Sequence, residues 1–156
     1  MKFLLYYHQG KAKKMTVIYI IVFGLLLLIS IYDCIYYKIP NTFLLLLFGV
    51  VCFYVLTKDL SFCMQRILSA LLFVIIFFAI KQITRGLGYG DIKLLFVTCV
   101  YFGLQKSFFA LLFASVSGII FYAVMYICRK GINKIPFSPF IVSGYLLFEL
   151  AERLIR

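Results

Sequence analysis

The sequence predicts an all-α, polytopic membrane protein with about six transmembrane helices. Three observations lead there. Of 156 residues, 65% are hydrophobic and only 13% are charged, whereas a soluble domain carries about a quarter charged residues. Apolar runs recur along the chain, and a membrane helix needs about 20 such residues. The basic residues behind the net charge of +11 sit between those runs, as juxtamembrane anchors do.

The elements follow in order. Residues 1–14 form a short basic tail ahead of a single membrane domain, 15–156. The tail resembles the n-region of a signal peptide, but no small-residue cleavage site follows, so the first span, Met15–Tyr32, reads as a signal anchor. The second span runs Thr42–Thr57 behind Ile39-Pro40-Asn41. Pro40 lacks an N–H and suits a helix's first turn, or marks a plain turn. The third span is Phe62–Ile80, with Asp59 in the turn before it.

The fourth span, Asp91–Leu104, is short. It rises only about 21 Å against a hydrocarbon core of about 30 Å. Either its first turn begins below the membrane surface, with Asp91 inside the bilayer's edge, or the helix continues through Gln105 and Lys106, with Lys106 snorkelling. The fifth span, Ser107–Cys128, carries Ala110, Ala114 and Gly118 at four-residue spacing, a stripe for close helix packing. The sixth, Pro139–Leu154, ends near Glu149 and Glu152, read as interfacial acids without a special part.

Composition excludes several function classes. No groove-reading or stacking motif accompanies the basic residues, so nucleic acid is not an expected partner; the lipid bilayer is. Cys34, Cys52, Cys63, Cys99 and Cys128 form no CxxC pair, and His8 is the single histidine. No metal site or cofactor is expected from such a set. The thiols read mostly as small hydrophobes, with Cys34 set apart by its neighbour Asp33. Nothing in the sequence speaks to oligomeric state.

Chemistry concentrates on Asp33 and Asp91. The chain has five acids in all, and a carboxylate at the end of a long apolar run is costly without a task. Two carboxylates sharing one proton can activate water for peptide hydrolysis. Gly86, Gly88 and Gly90 lead into Asp91. They form either a plain turn or, through left-handed angles and close approach, a docking segment for an extended peptide. Tyr89 lines that site or sits at the interface. Lys93 anchors its helix, or meets lipid phosphate or substrate. Asp91 opens a helix, where the dipole favours negative charge, and Asp33 closes one, where it does not. Asp91 is therefore expected to be the readily ionised member and Asp33 the proton holder.

Three segments together resemble a known family. Asp33, five residues and Ile39-Pro40-Asn41, then Gly88-Tyr89-Gly90-Asp91-Ile92-Lys93-Leu94-Leu95, then Ile135-Pro136-Phe137-Ser138-Pro139-Phe140 with Gly144, look like the prepilin peptidases, the type IV leader peptidases of the GxGD aspartyl class. The resemblance spans residues 33–144. It implies that Asp33 and Asp91 are the catalytic pair, with Gly88, Tyr89, Gly90, Lys93, Pro40 and Asn41 shaping the loop or binding substrate. It further implies an endopeptidase of the plasma membrane that removes the basic leader of prepilin-like precursors (type IV pilins, pseudopilins or archaellins) at the cytoplasmic face.

Larger family members carry paired CxxC motifs in an added N-terminal part and also methylate the new N-terminus. This chain has no such motif, so it resembles the short, peptidase-only form. Presenilin-type proteases also pair Tyr-Asp with GxGD, as Tyr32-Asp33 does, but end in a Pro-Ala-Leu motif that is absent here. Placing Asp33 inside puts seven basic residues on the inner loops and nine outside, counting the tail. This runs against the positive-inside rule and makes Met15 a candidate start. A small transporter or proton conductor using intramembrane carboxylates, and a structural membrane subunit, are the rival classes. A transporter should show inverted repeats or broken helices, and none is visible.

Overall fold

The computed structural model describes residues 2–84, 88–128 and 136–155, with side chains for 16–82, 88–128 and 136–154. Gly86, Ile135 and the basic residues Arg85, Arg129, Lys130 and Lys134 lie outside the described residues. Among those described there are six helices: α1 (Lys2–Tyr36), α2 (Asn41–Leu56), α3 (Leu60–Thr84), α4 (Tyr89–Phe102), α5 (Leu104–Ile127) and α6 (Ser138–Ile155). Three contain stretches long and apolar enough to cross a membrane: Thr16–Tyr36, Leu60–Gln82 and Leu104–Ile127. The other three are shorter or more polar, at 16, 14 and 18 residues.

Helix α1 is longer than the first span read from the sequence. Basic tail and apolar run share one helix of 35 residues, and its last turn contains Asp33. The helix stops because Tyr37 turns left-handed, at φ 52, donating its N–H to the Asp33 carbonyl at 2.8 Å. That conformation costs a non-glycine residue about 1–2 kcal/mol. Pro40 then takes extended backbone as the N-cap of α2, one step ahead of the first turn.

The fourth helix does not continue through Lys106. It ends at Phe102, and Gly103 breaks it at φ 90, a conformation open to glycine and strained for other residues. The Arg66 guanidinium packs on that glycine where any side chain would stand. Gln105 and Lys106 therefore belong to α5.

Helix α4 is central. Eight of its 14 residues are buried, and it packs against α2, α3 and α5, while α6 packs against α5 and α1. The small-residue stripe of α5 serves this packing at Ala110 and Ala114, both fully buried, whereas Gly118 has open space beside it. The partner of Ala110 is Gly144 of α6: a Cβ there would lie 2.6 Å from the Ala110 carbonyl oxygen. By contrast α3 turns outward, with 11% of its apolar window buried and Leu68, Leu72 and Ile75 exposed. A surface of this kind is stable against lipid and not against water.

At the end remote from Asp33, Glu149 and Glu152 are not idle. They lie three residues apart on one face of α6, and both accept hydrogen bonds from Lys106 of α5, at 2.7 and 2.6 Å. Nearby, Tyr145 stacks on Phe102 and donates its hydroxyl to Ser107 at 2.8 Å. These contacts pin α4, α5 and α6 together at one end.

Candidate active site

The N-terminal ends of α2, α4 and α6 and the C-terminal end of α1 form one polar end of the helix bundle. Two carboxylates lie there. Asp33 is buried, at 5% exposure, in the last turn of α1. Asp91 is the third residue of α4 and partly buried. Each lies within electrostatic reach of the other, and the Lys81 ammonium acts on Asp91 as well.

Asp91 owes its conformation to its own helix. Gly88 is the extended N-cap of α4, and its N–H donates to Asp91 Oδ2 at 3.2 Å. This is the carboxylate half of a capping box. A Cβ on Gly88 would stand 2.9 Å from that oxygen, so glycine gives the carboxylate its room. Tyr89 and Gly90 already belong to the first helical turn, and neither Gly88 nor Gly90 has a positive φ. The left-handed angles expected of this segment are therefore not used at Gly88 and Gly90. What requires glycine is close approach, because a Cβ on Gly90 would meet the Ile39 side chain at 3.0 Å.

That contact joins two of the sequence segments. A second contact joins them again: Lys93 donates to the Asn41 side-chain oxygen at 3.4 Å. The structure supplies Lys93 with a partner on α2 that none of its sequence readings named. Pro40 sets the start of α2 and so places Asn41 opposite Lys93. Tyr89 is exposed, with the Lys81 ammonium over its ring. Cys34 is also exposed.

The third segment supplies a residue that sequence reasoning missed. Ser138, the first residue of α6, is fully buried. Its hydroxyl donates to Asp33 Oδ2 at 2.7 Å and its backbone N–H to the same oxygen at 3.2 Å. The signal was present in the sequence as a serine just before a proline at a helix start, but that pattern ordinarily reads as a cap of its own helix. The same geometry removes the ground on which the sequence divided charge between the aspartates. Asp33 does sit at the unfavourable end of α1, but the positive end of α6 faces its carboxylate through the Ser138 N–H. Helix ends therefore no longer distinguish the two.

The arrangement brings two carboxylates, anchored by donors from separate helices, to one end of the bundle, next to an exposed tyrosine and two lysines. Such a pair can pass a proton between water and a carbonyl oxygen. Compared with known protein families, the chain matches the model of the type IV leader peptidase family over residues 20–123, about two-thirds of its length, a stretch that includes Asp33 and Asp91. No curated protein and no solved structure matches it.

Proposed function

Because the chain belongs to the type IV leader peptidase family, and is therefore an aspartic prepilin peptidase, we propose that Asp33 and Asp91 are its catalytic pair. The substrate proposed is a prepilin-like precursor (pilin, pseudopilin or archaellin), cut at the cytoplasmic membrane face by a six-helix membrane domain. One observation carries this reading. The three separated segments meet at one end of the fold, through Asp33 with Ser138, Gly90 with Ile39, and Lys93 with Asn41. Membership in a peptidase family displaces the transporter reading.

The chemistry follows from a carboxylate pair. One aspartate takes a proton from water as its oxygen adds to the scissile carbonyl carbon. The other gives its proton to the carbonyl oxygen. As the tetrahedral species collapses, the protonated aspartate gives its proton to the leaving nitrogen and a hydroxyl of that species gives one to the other aspartate, which restores the single shared proton. Lys93 and Tyr89 lie beside this site and are proposed to contact the substrate or its lipid surroundings. Gly88 and Gly90 keep Asp91 and Ile39 unobstructed.

The experiment is cleavage of a purified pilin precursor by the detergent-solubilised protein. Asp33→Asn and Asp91→Asn should each abolish cleavage while membrane levels stay normal, because neither half of the pair works alone. Near-normal turnover by either variant would remove that residue from the pair.

A further inference from the structure

We propose that Ser138 is a positioning residue for Asp33. It holds Oδ2 from two sides and leaves Oδ1 as the oxygen that exchanges protons. The inference rests on the reading of Asp33 as catalytic given above, and it adds which oxygen acts and what fixes it.

Both donors to this carboxyl end on the same atom, the hydroxyl at 2.7 Å and the backbone N–H at 3.2 Å. A backbone N–H can only donate, so Oδ2 faces it as an acceptor whether Asp33 is charged or neutral. A proton on Oδ2 would turn the Ser138 hydroxyl from donor to acceptor, so with the hydroxyl donating the proton is carried by Oδ1. Ser138 is itself fully buried and Asp33 nearly so, which keeps water from replacing either bond. Next in the chain, Pro139 has no N–H to offer. The serine hydroxyl is thus the one side-chain donor that this helix start brings to the carboxyl. Asp33 sits on α1 and Ser138 on α6, 105 residues apart, so the contact also ties the sixth helix to the reacting group. Without the hydroxyl, the carboxyl plane can rotate about its single remaining donor. The loss then appears as a slower chemical step and not as weaker substrate binding.

The test measures kcat and KM for cleavage of a pilin precursor by wild type, Ser138→Ala, Ser138→Thr and Asp33→Asn, at matched membrane levels. Loss of one hydrogen bond to an ionisable group predicts a kcat lower by about 10- to 100-fold in Ser138→Ala. Its KM should stay within about twofold, and Ser138→Thr, which keeps the hydroxyl, should recover most of the rate. Wild-type kcat in Ser138→Ala beside an inactive Asp33→Asn overturns the positioning role and leaves the catalytic pair standing. A raised KM at unchanged kcat also overturns it, since Ser138 would then contact substrate. An active Asp33→Asn overturns the catalytic reading itself, and the positioning role with it.

Discussion

Replacing Gly144 with alanine should drive α5 and α6 apart. The new Cβ would lie 2.6 Å from the Ala110 carbonyl oxygen and 2.8 Å from the Ala110 Cα. Comfortable contact begins near ~3.5 Å, so the helices must part by roughly 1 Å, and the atoms in the way are backbone that cannot rotate aside. Overpacking of this kind costs about 1–3 kcal/mol. Gly118→Ala is the matched control, because nothing lies within 4 Å of that position. Both changes gain the same helix propensity, about 1 kcal/mol, so the gain cancels in their difference. At roughly 2–4 °C per kcal/mol, the apparent melting temperatures in detergent should differ by about 2–12 °C, with Gly144→Ala the lower. Ser138 lies six residues before Gly144, roughly 9 Å along the same helix. A shift of about 1 Å carried to the Asp33 contact can cost on the order of 100-fold in rate. Gly144→Ala melting at or above Gly118→Ala refutes the close-packing argument, whatever happens to activity.

Two further outcomes follow from the geometry. Gly90→Ala should lower cleavage more than Ala110→Gly, since its Cβ pushes on Ile39 at 3.0 Å beside Asp91, whereas Ala110→Gly opens only a small void; equal, mild effects would mean that Ile39 yields freely. Lys106→Ala should destabilise the fold by about 1–2 kcal/mol, below the cost of breaking a fully buried pair because the three side chains are 28%, 17% and 35% exposed. An unchanged melting temperature would show that water replaces the lysine at no cost.

Asp33, Asp91 and the three segments around them were legible because short spacing and residue type carry them. The helix count was legible from apolar runs. The break between α4 and α5 was legible to within three residues, as spans ending at Leu104 and beginning at Ser107, but its cause was not, although Gly103 is a stop signal. The apolar run passes straight through Gly103, and only the Arg66 guanidinium on its face shows why the chain turns there. Glu149 and Glu152 read as idle interfacial acids, because nothing near them in sequence points to the lysine on another helix that both hold. Ser138 illustrates the general difficulty. Local pattern points its hydroxyl at its own helix, whereas its acceptor is 105 residues away in sequence. Gly88 and Gly90 were singled out both for left-handed angles, which they do not use, and for close approach, which they do. Their task is to leave space, and that depends on what packs against them.

The Ser138–Asp33 contact also bears on the order in which the protein is made. At a synthesis rate of about 5–20 residues per second, the 105 residues between the two take roughly 5–20 s to emerge. During that interval the nascent chain holds the first aspartate without the donors that orient it. Helix α1 must settle with a carboxyl still lacking its partner, and α6 arrives last to close the arrangement. A ribosome stalled before codon 138 leaves a chain with both aspartates but without the two Ser138 donors to Asp33. The contact between the first and last helices is thus completed only once α6 has been made.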